Sequence, residues 1–270
     1  MELFYDDGQC AIWCGDIMDA ANDPGWLGEY AGRVACTVSS PPYNVRLNYD
    51  SDDDGDWLDW ADYGQLAHEA AHVVSMVSEF AARCWWNTAV SVPEHYEKDG
   101  PKRRVNLPRL WLEAFEGCGF EWVDQVAWTS MRGAGTAWGS FRQPSSPNLR
   151  GDYEVIQALC LGRWERVRPA GMGPGYQDPL PDWQNLCTSV WADVGTTRSK
   201  HHPAPYPADI PARCIRLSTW PGELVFDPFC GTGATLRAAK DLGRRSVGIE
   251  RSRKYCQLAA ERVCVESLGL

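Results

Sequence analysis

The chain has 270 residues, of which 44% are hydrophobic, with a formal net charge of −10 and 11 cysteines. That length suits one large α/β domain or two small ones, and no apolar run approaches the roughly 20 residues that cross a bilayer. The acidic start MELFYDDGQC is unlike a secretory leader, and the cysteines are scattered with no Cys-x-x-Cys, so a cytoplasmic location, reduced buried thiols and no metal site are expected.

CAIWCGD (10–16) reads as a short strand stopping at Gly15-Asp16, and DIMDAANDPGWLGEY as a short helix broken at Pro24-Gly25. RVACTVSS (33–40) is a buried strand that runs into Pro41-Pro42. Residues 63–84 carry apolar side chains at spacings of three and four and predict an amphipathic helix. WWNTAVSV (85–92) is a strand, LPRLWLEAFEGCGF a helix stopped by Gly117 or Gly119, and EWVDQVAWT a strand. From about 130 to 205 the chain is rich in Gly, Pro and Ser, and only YEVIQALCL (153–161) reads as regular structure. Trp138, Phe141, Trp164 and Trp183 are candidate anchors for that stretch. The last 65 residues return to α/β order: DIPARCIRLST is a helix, and ELVFDPFCGTG onward reads strand, glycine loop, helix, strand, helix.

The charge is uneven. Acid concentrates in DSDDDGDWLDWAD (50–62), read as a solvated loop. Base gathers in KDGPKRRVNLPR (98–109) and at Arg132, Arg142 and Arg150. The acidic total is unlike a nucleic-acid binder, but local sign governs phosphate contact more than the sum.

Two features carry chemistry. The corner Ser40-Pro41-Pro42-Tyr43 is stiff, because proline fixes its own φ and biases the residue before it toward extended backbone. It offers a hydroxyl, carbonyl acceptors and one aromatic ring, which suits either a strand terminator or a grip on a planar, amine-bearing group. The second feature is DPFCGTG (227–233), where Gly231 and Gly233 open a helix whose N-terminus favours polar or anionic groups. It is not a P-loop, since no Gly-Lys-Ser/Thr follows. Its spacing fits a dinucleotide, S-adenosylmethionine, or plain packing of helix on strand. Glu250 ends the next strand, 17 residues after Gly233, where an acid accepts from ribose hydroxyls. Both cofactors carry such a ribose, so the pair does not choose between them. The sheet needs a third strand beside Glu250's. CAIWCGD is the candidate, and it brings Asp16 to the edge that holds Asp227 and Glu250.

SPPYN (40–44), HPAPYP (202–207) and DPFCGTG (227–233), in that order, resemble the DNA amino-methyltransferases in which the catalytic motif precedes the cofactor motif. WGSFRQPSSPNLRGDYE (138–154) and SVWADV (189–194) resemble further segments of that family, so the likeness spans most of the chain. It implies an α/β fold with a circularly permuted, Rossmann-like methyltransferase sheet and a small inserted target-recognition region. Residues 1–129 would form the catalytic half, 130–200 the recognition region and 201–270 the cofactor half. The cofactor implied is S-adenosylmethionine. Asp227, Phe229, Gly231 and Gly233 would surround its methionine part, with His202 near by, while Glu250 holds the ribose and Asp16 the adenine amine. The partner implied is double-stranded DNA, with a cognate restriction endonuclease as a further candidate.

Serine in the first motif position is associated with cytosine N4 as acceptor, and adenine N6 stays open. Ser40 Oγ and the Pro41 carbonyl would bind the two amine hydrogens, while Tyr43 stacks on a flipped base. Arg132, Arg142 and Arg150 are candidates for phosphate or guanine contacts, with Ser145, Ser146 and Asn148 for base edges. Carbon-5 methylation needs a nucleophilic thiolate. That family uses a Pro-Cys pair, and no cysteine here follows a proline. A nicotinamide oxidoreductase and an inactive DNA-binding relative are the rival readings.

Overall fold

The computed structural model describes residues 1–47, 57–94, 103–129, 140, 142–147, 149, 151–169, 183–197 and 207–265. An edge strand β1 (Glu2–Asp6), not anticipated from the sequence, turns back into β2 (Cys10–Cys14). Helices α1 (Ile17–Ala20) and α2 (Pro24–Tyr30) follow. Pro24-Gly25 starts this second helix instead of breaking one. Proline has no N–H to lose in a first turn, and Asp23 caps the helix by accepting from the Gly25 and Trp26 amides.

Strand β3 (Val34–Ser39) is buried at every residue, as a strand covered on both faces must be. Helix α3 (Trp60–Val77) ends seven residues before the expected boundary, and β4 (Ser78–Ala89) begins there. Ser78 takes extended backbone and its hydroxyl donates to the Val74 carbonyl at 2.7 Å. Ala81 has φ +67, and the pairing of β3 with β4 shifts register between Val34 and Cys36. An irregular strand start thus mimics helical spacing in the sequence.

Strands β5 (Val92–Pro93) and β6 (Arg104–Val105) pair with each other, ahead of helix α4 (Leu107–Gly117) and β7 (Phe120–Trp128). The chain continues through β8 (Glu154–Leu161), α5 (Trp183–Leu186) and β9 (Val190–Trp191). It closes with α6 (Asp209–Ser218), β10 (Leu224–Asp227), α7 (Ala234–Asp241), β11 (Arg245–Glu250) and α8 (Arg253–Cys264).

Among the described residues nine strands form one sheet, in the order β1-β2-β11-β10-β3-β4-β8-β7-β9. The run β2, β11, β10, β3, β4 is parallel, while β8 lies antiparallel between β4 and β7. Strand β2 docks beside β11 with Cys14 opposite Glu250, the third strand expected from the other end of the sequence. Strand β8, inside the 130–200 stretch, therefore sits in the same sheet as both halves.

The side-chain alternation of a strand feeds two opposite cores. Phe226 and Trp86 pack with Trp26, Tyr63, Trp111 and Phe115 from α2, α3 and α4. Their neighbours Val225 and Trp85 pack with Ile210, Cys214, Ala238 and Ala239 from α6 and α7. Trp86 meets Trp111 and Phe115 at ring separations of 4.7 and 4.8 Å. Burial of such a ring contributes about 2 to 3 kcal/mol. Trp164, one of the expected anchors, packs edge-on against Trp85 at 6.2 Å, whereas Trp183 stays exposed. Strand order reverses between β10 and β3, and a ligand crevice of an open α/β sheet lies at such a point, outside the strands' C-terminal ends.

Candidate active site

The proline corner sits at that reversal. Beyond β3, Pro41 is buried, and the Pro42 carbonyl accepts from the Tyr63 hydroxyl at 2.6 Å. Trp111 Nε1 donates to the same Tyr63 hydroxyl at 3.1 Å, so two core aromatics hold the corner. Asn44, buried and at φ +59, clasps Leu58 from both sides. Its Nδ2 donates to the Leu58 carbonyl at 2.9 Å and its Oδ1 accepts from the Leu58 amide at 2.8 Å.

The glycine loop lies directly alongside. Ser39 Oγ donates to Asp227 Oδ1 at 2.7 Å, and the Phe229 amide donates to the same oxygen at 3.1 Å. One carboxylate thereby ties the last residue of β3 to the first turn of the loop. The Phe229 ring leans on Trp86 and Trp111 at 6.1 and 6.4 Å. Burial raises the Asp227 carboxyl to about 6, against the hydrogen bonds that favour its charged form.

Glu250 completes the other wall. Its Oε2 accepts from the Gly231 amide at 3.0 Å and its Oε1 from the Ser252 amide at 2.8 Å. Burial raises it to about 7, opposed by those two amides. The Gly15 amide donates to the Glu250 carbonyl at 3.0 Å, which brings half-buried Asp16 to this edge. Asp16 also caps α1, accepting from the Met18 amide at 3.0 Å. The two loop glycines differ in what they serve. Gly231 has φ +51 and presents its amide to Glu250. Gly233 has φ +77, and an added Cβ would stand 3.0 Å from the Ala259 Cβ of α8, so packing of α8 against the start of α7 demands it. No side chain caps α7, whose leading amides are left to other partners.

Two residues missed in the sequence join the corner. Asn87 of β4 and Glu154 of β8 are brought together because Asn87 lies opposite Ile156 and Ala89 opposite Glu154. Tyr43 Oη donates to Glu154 Oε2 at 2.9 Å, and Asn87 Nδ2 donates to the same oxygen at 2.7 Å. Asn87 Nδ2 also lies 2.9 Å from Tyr43 Oη and 3.3 Å from Ser40 Oγ, and Ser40 Oγ lies 2.9 Å from Tyr43 Oη. The structure thus gathers Ser40, Tyr43, Asn87 and Glu154 into one polar cluster.

Of the expected DNA-contacting residues, Arg142 and Ser145 are exposed on a small turn closed by Ser140. The Ser140 amide donates to the Ser146 carbonyl at 2.8 Å, and the Ser146 amide to Ser140 Oγ at 2.8 Å. Arg142 has φ +60. Arg132, Asn148, Arg150 and His202, and residues 50–56 of the acidic run, lie outside the described residues.

A model of the N6/N4 DNA methylases matches residues 34–261, well over half of the chain. The chain belongs to this DNA methylase family. The match begins at β3, so β2 and Asp16 lie outside it although they stand in the same sheet. This methylase is 28% identical over 170 residues to the type II methyltransferase M.MjaI of Methanocaldococcus jannaschii, a stretch covering 57% of this chain and 53% of the relative. It is 33% identical over 100 residues to the type II methyltransferase M.XycI of Xanthomonas campestris pv. cyanopsidis, covering 37% of this chain and 31% of the relative. The matched stretches thus span about half or less of those curated relatives. Among solved structures, the methylase is similar to a putative DNA modification methylase from Thermus thermophilus, complexed with S-adenosyl-L-methionine, with a TM-score of 0.68 at 22% identity. That match covers 96% of this chain and 95% of the other. It is also similar to the PvuII DNA methyltransferase, described as cytosine-N4-specific, with a TM-score of 0.70 at 17% identity and coverage of 99% and 90%. At these identities the likeness fixes the fold: a mixed α/β methyltransferase sheet. No described helix is long and apolar enough to cross a membrane.

Proposed function

We propose that this methylase transfers a methyl group from S-adenosylmethionine to the exocyclic N4 amine of a cytosine flipped out of double-stranded DNA. The observation that carries the reading is the hydrogen bond from Ser39 to Asp227. It joins the amine-gripping corner to the glycine loop, so acceptor and donor groups would meet within one crevice.

The residues present suit S-adenosylmethionine. Glu250 is a half-buried carboxylate at the crevice wall that uses one backbone amide on each oxygen, and a carboxylate oxygen accepts more than one hydrogen bond. It is fitted to take the ribose hydroxyls. The side-chain-free N-terminus of α7 is fitted to a carboxylate, and Asp16 to the adenine amine. When bound, the group supplies a methyl on a positively charged sulfur.

What this chain's own residues contribute is positioning. A cytosine amine is a weak nucleophile because its lone pair is delocalised into the ring. Ser40 Oγ and the Pro41 carbonyl each accept one amine hydrogen, which favours a pyramidal nitrogen with its lone pair directed at the methyl group. The Pro42 carbonyl accepts from the Tyr63 hydroxyl, which pins the corner beside the Pro41 carbonyl. The proton leaves after attack, so transfer depends on geometry and electrostatics more than on a strong base. The Tyr43 ring stacks on the flipped base and offsets part of the few kcal/mol spent on unstacking. Residues 130–200 carry target recognition, with Arg142 and Ser145 on an exposed turn. The type II methyltransferase names of the curated relatives support a cognate restriction endonuclease as partner.

The amine is supported by Ser40 in the first motif position and by the cytosine-N4-specific PvuII neighbour. The test is to methylate DNA from a host lacking other methyltransferases, digest it to nucleosides and weigh the product. N4-methylcytidine is the expected product. N6-methyladenosine alone overturns the choice of base, and no methylated nucleoside overturns the activity.

A further inference from the structure

The cluster around Ser40 has a direction. Tyr43 has one hydroxyl proton, and Glu154 is a carboxylate that accepts and does not donate. Between its acceptors Glu154 Oε2 at 2.9 Å and the Asn87 backbone carbonyl at 3.4 Å, the nearer, a carboxylate oxygen, takes that proton. The 2.9 Å contact between Ser40 Oγ and Tyr43 Oη must then run from serine to tyrosine. Asn87 is oriented by the same carboxylate. Turned the other way, its carbonyl oxygen would face Glu154 Oε2 at the 2.7 Å now spanned by its Nδ2. The present orientation leaves Asn87 Oδ1 buried without a partner, a cost accepted in order to donate to Glu154.

We infer that Glu154 is a positioning residue for methyl transfer: through Tyr43 and Asn87 it turns the Ser40 proton away from the crevice, so that the serine lone pairs face the target amine. The inference rests on the proposed amine methylation and deepens it. A serine hydroxyl left free to rotate would spend part of its time with its proton, and not a lone pair, facing the amine. The Glu154 acceptor at the far end removes that choice before the base arrives.

The same chain gives the departing proton a route. As the nitrogen–carbon bond forms, the carbon–sulfur bond breaks and its electron pair stays on sulfur, which becomes neutral. The nitrogen carries the positive charge until it releases one proton. That proton passes to Ser40 Oγ as the serine proton moves to Tyr43 Oη and the tyrosine proton to Glu154 Oε2. Both hydroxyls end as they began, the product amine is neutral, and the carboxylic acid returns its proton to water.

The experiment compares the full chain with Glu154→Gln, Glu154→Asp, Tyr43→Phe and the double variant Tyr43→Phe/Glu154→Gln. Each receives methyl-labelled S-adenosylmethionine and DNA from a host lacking other methyltransferases. Cofactor affinity by calorimetry and thermal unfolding are read in parallel. Glu154→Gln is expected to lose about 100-fold in kcat, the lower range for proton-handling groups, with KM for DNA and cofactor affinity within about twofold. Glu154→Asp should recover at least a tenth of the parent kcat, and the double variant should be no slower than the slower single variant, because both changes break one chain. The inference is overturned if Glu154→Gln keeps the parent kcat, if kcat and cofactor affinity fall together, or if the two changes multiply. An inactive parent chain with intact cofactor binding would overturn the methyl-transfer reading itself, and this inference with it.

Discussion

Ser39, the last residue of the fourth-position parallel strand β3, donates to Asp227, the last residue of its neighbour β10, at 2.7 Å, although 188 positions separate them. Asp227 is 4% exposed, so this is a hydrogen bond to a buried carboxylate. Such bonds contribute about 1.5 to 3 kcal/mol. Ser39→Ala is accordingly expected to lower the unfolding free energy by that amount in chemical denaturation and to weaken S-adenosylmethionine binding. Unchanged stability would mean that the corner and the loop hold their places independently.

Ser40 and Glu250 separate the two tasks of the crevice. Ser40→Ala should reduce kcat by at least tenfold and leave cofactor affinity within about twofold, since the hydroxyl's partners are Tyr43, Asn87 and the proposed acceptor amine, none of which holds the cofactor. Glu250→Ala should do the reverse first, weakening cofactor affinity by at least tenfold. Calorimetry and steady-state kinetics on both variants decide it, and parallel losses in both quantities would assign Ser40 a structural task.

Two carboxyls of the crevice, Asp227 buried and Glu250 half-buried, give stability a specific pH dependence. Burial raises Asp227 from 3.8 to about 6 and Glu250 from 4.5 to about 7. A raised folded value means that the native state favours the protonated group. Its contribution is full below the unfolded value and lost as pH rises through the folded value. Both carboxyls therefore destabilise the ligand-free protein above pH about 7, by roughly 3 kcal/mol each at most. Asn at position 227 keeps an oxygen for both Ser39 and the Phe229 amide, since both donate to Oδ1. Asp227→Asn should then raise the melting temperature at pH 8 and do little at pH 4. Destabilisation at pH 8 would contradict the assignment.

Glu250 also sets a pH dependence for binding. If its ionised form accepts the ribose hydroxyls, affinity follows the ionised fraction around pH 7. S-adenosylmethionine should bind about tenfold more weakly at pH 6 than at pH 8. Isothermal titration at the two values measures this, and an equal affinity would remove Glu250 from the ribose.

What could be read in the sequence follows from how local each signal is. The strand, glycine loop and helix around Asp227, Gly231 and Gly233 are contiguous, so their spacing shows directly. Placing β2 beside β11 needed one further step, because a lone βαβ unit leaves an edge that some other strand must cover. Asn87 and Glu154 gave no such signal. Each is a polar residue near the end of a largely buried strand, and only the pairing of β4 with β8 brings them together across the 67 positions from Asn87 to Glu154. Ser39 was hidden for the same reason, as a small residue in a fully buried strand. The start of β4 misled because Ala81 at φ +67 breaks the alternation that marks a strand.

Gly233 separates a demand of packing from a demand of backbone. Gly32 and Gly233 both lie in the left-handed region, at φ +65 and +77. Nothing stands within 4 Å of a Cβ at Gly32, whereas one at Gly233 meets Ala259 Cβ at 3.0 Å and Ala259 Cα at 3.1 Å. Left-handed strain alone costs about 1 to 2 kcal/mol for alanine. Gly32→Ala should show only that loss. Gly233→Ala adds a contact that α8 relieves only by moving off α7, and overpacking of this kind costs about 1 to 3 kcal/mol more. Because the Gly231 amide and Glu250 share that wall, the shift should also weaken cofactor binding in Gly233→Ala but not in Gly32→Ala. Equal stability losses in the two variants, with cofactor binding intact in both, would show that α8 yields freely and that the loop glycine serves its backbone alone.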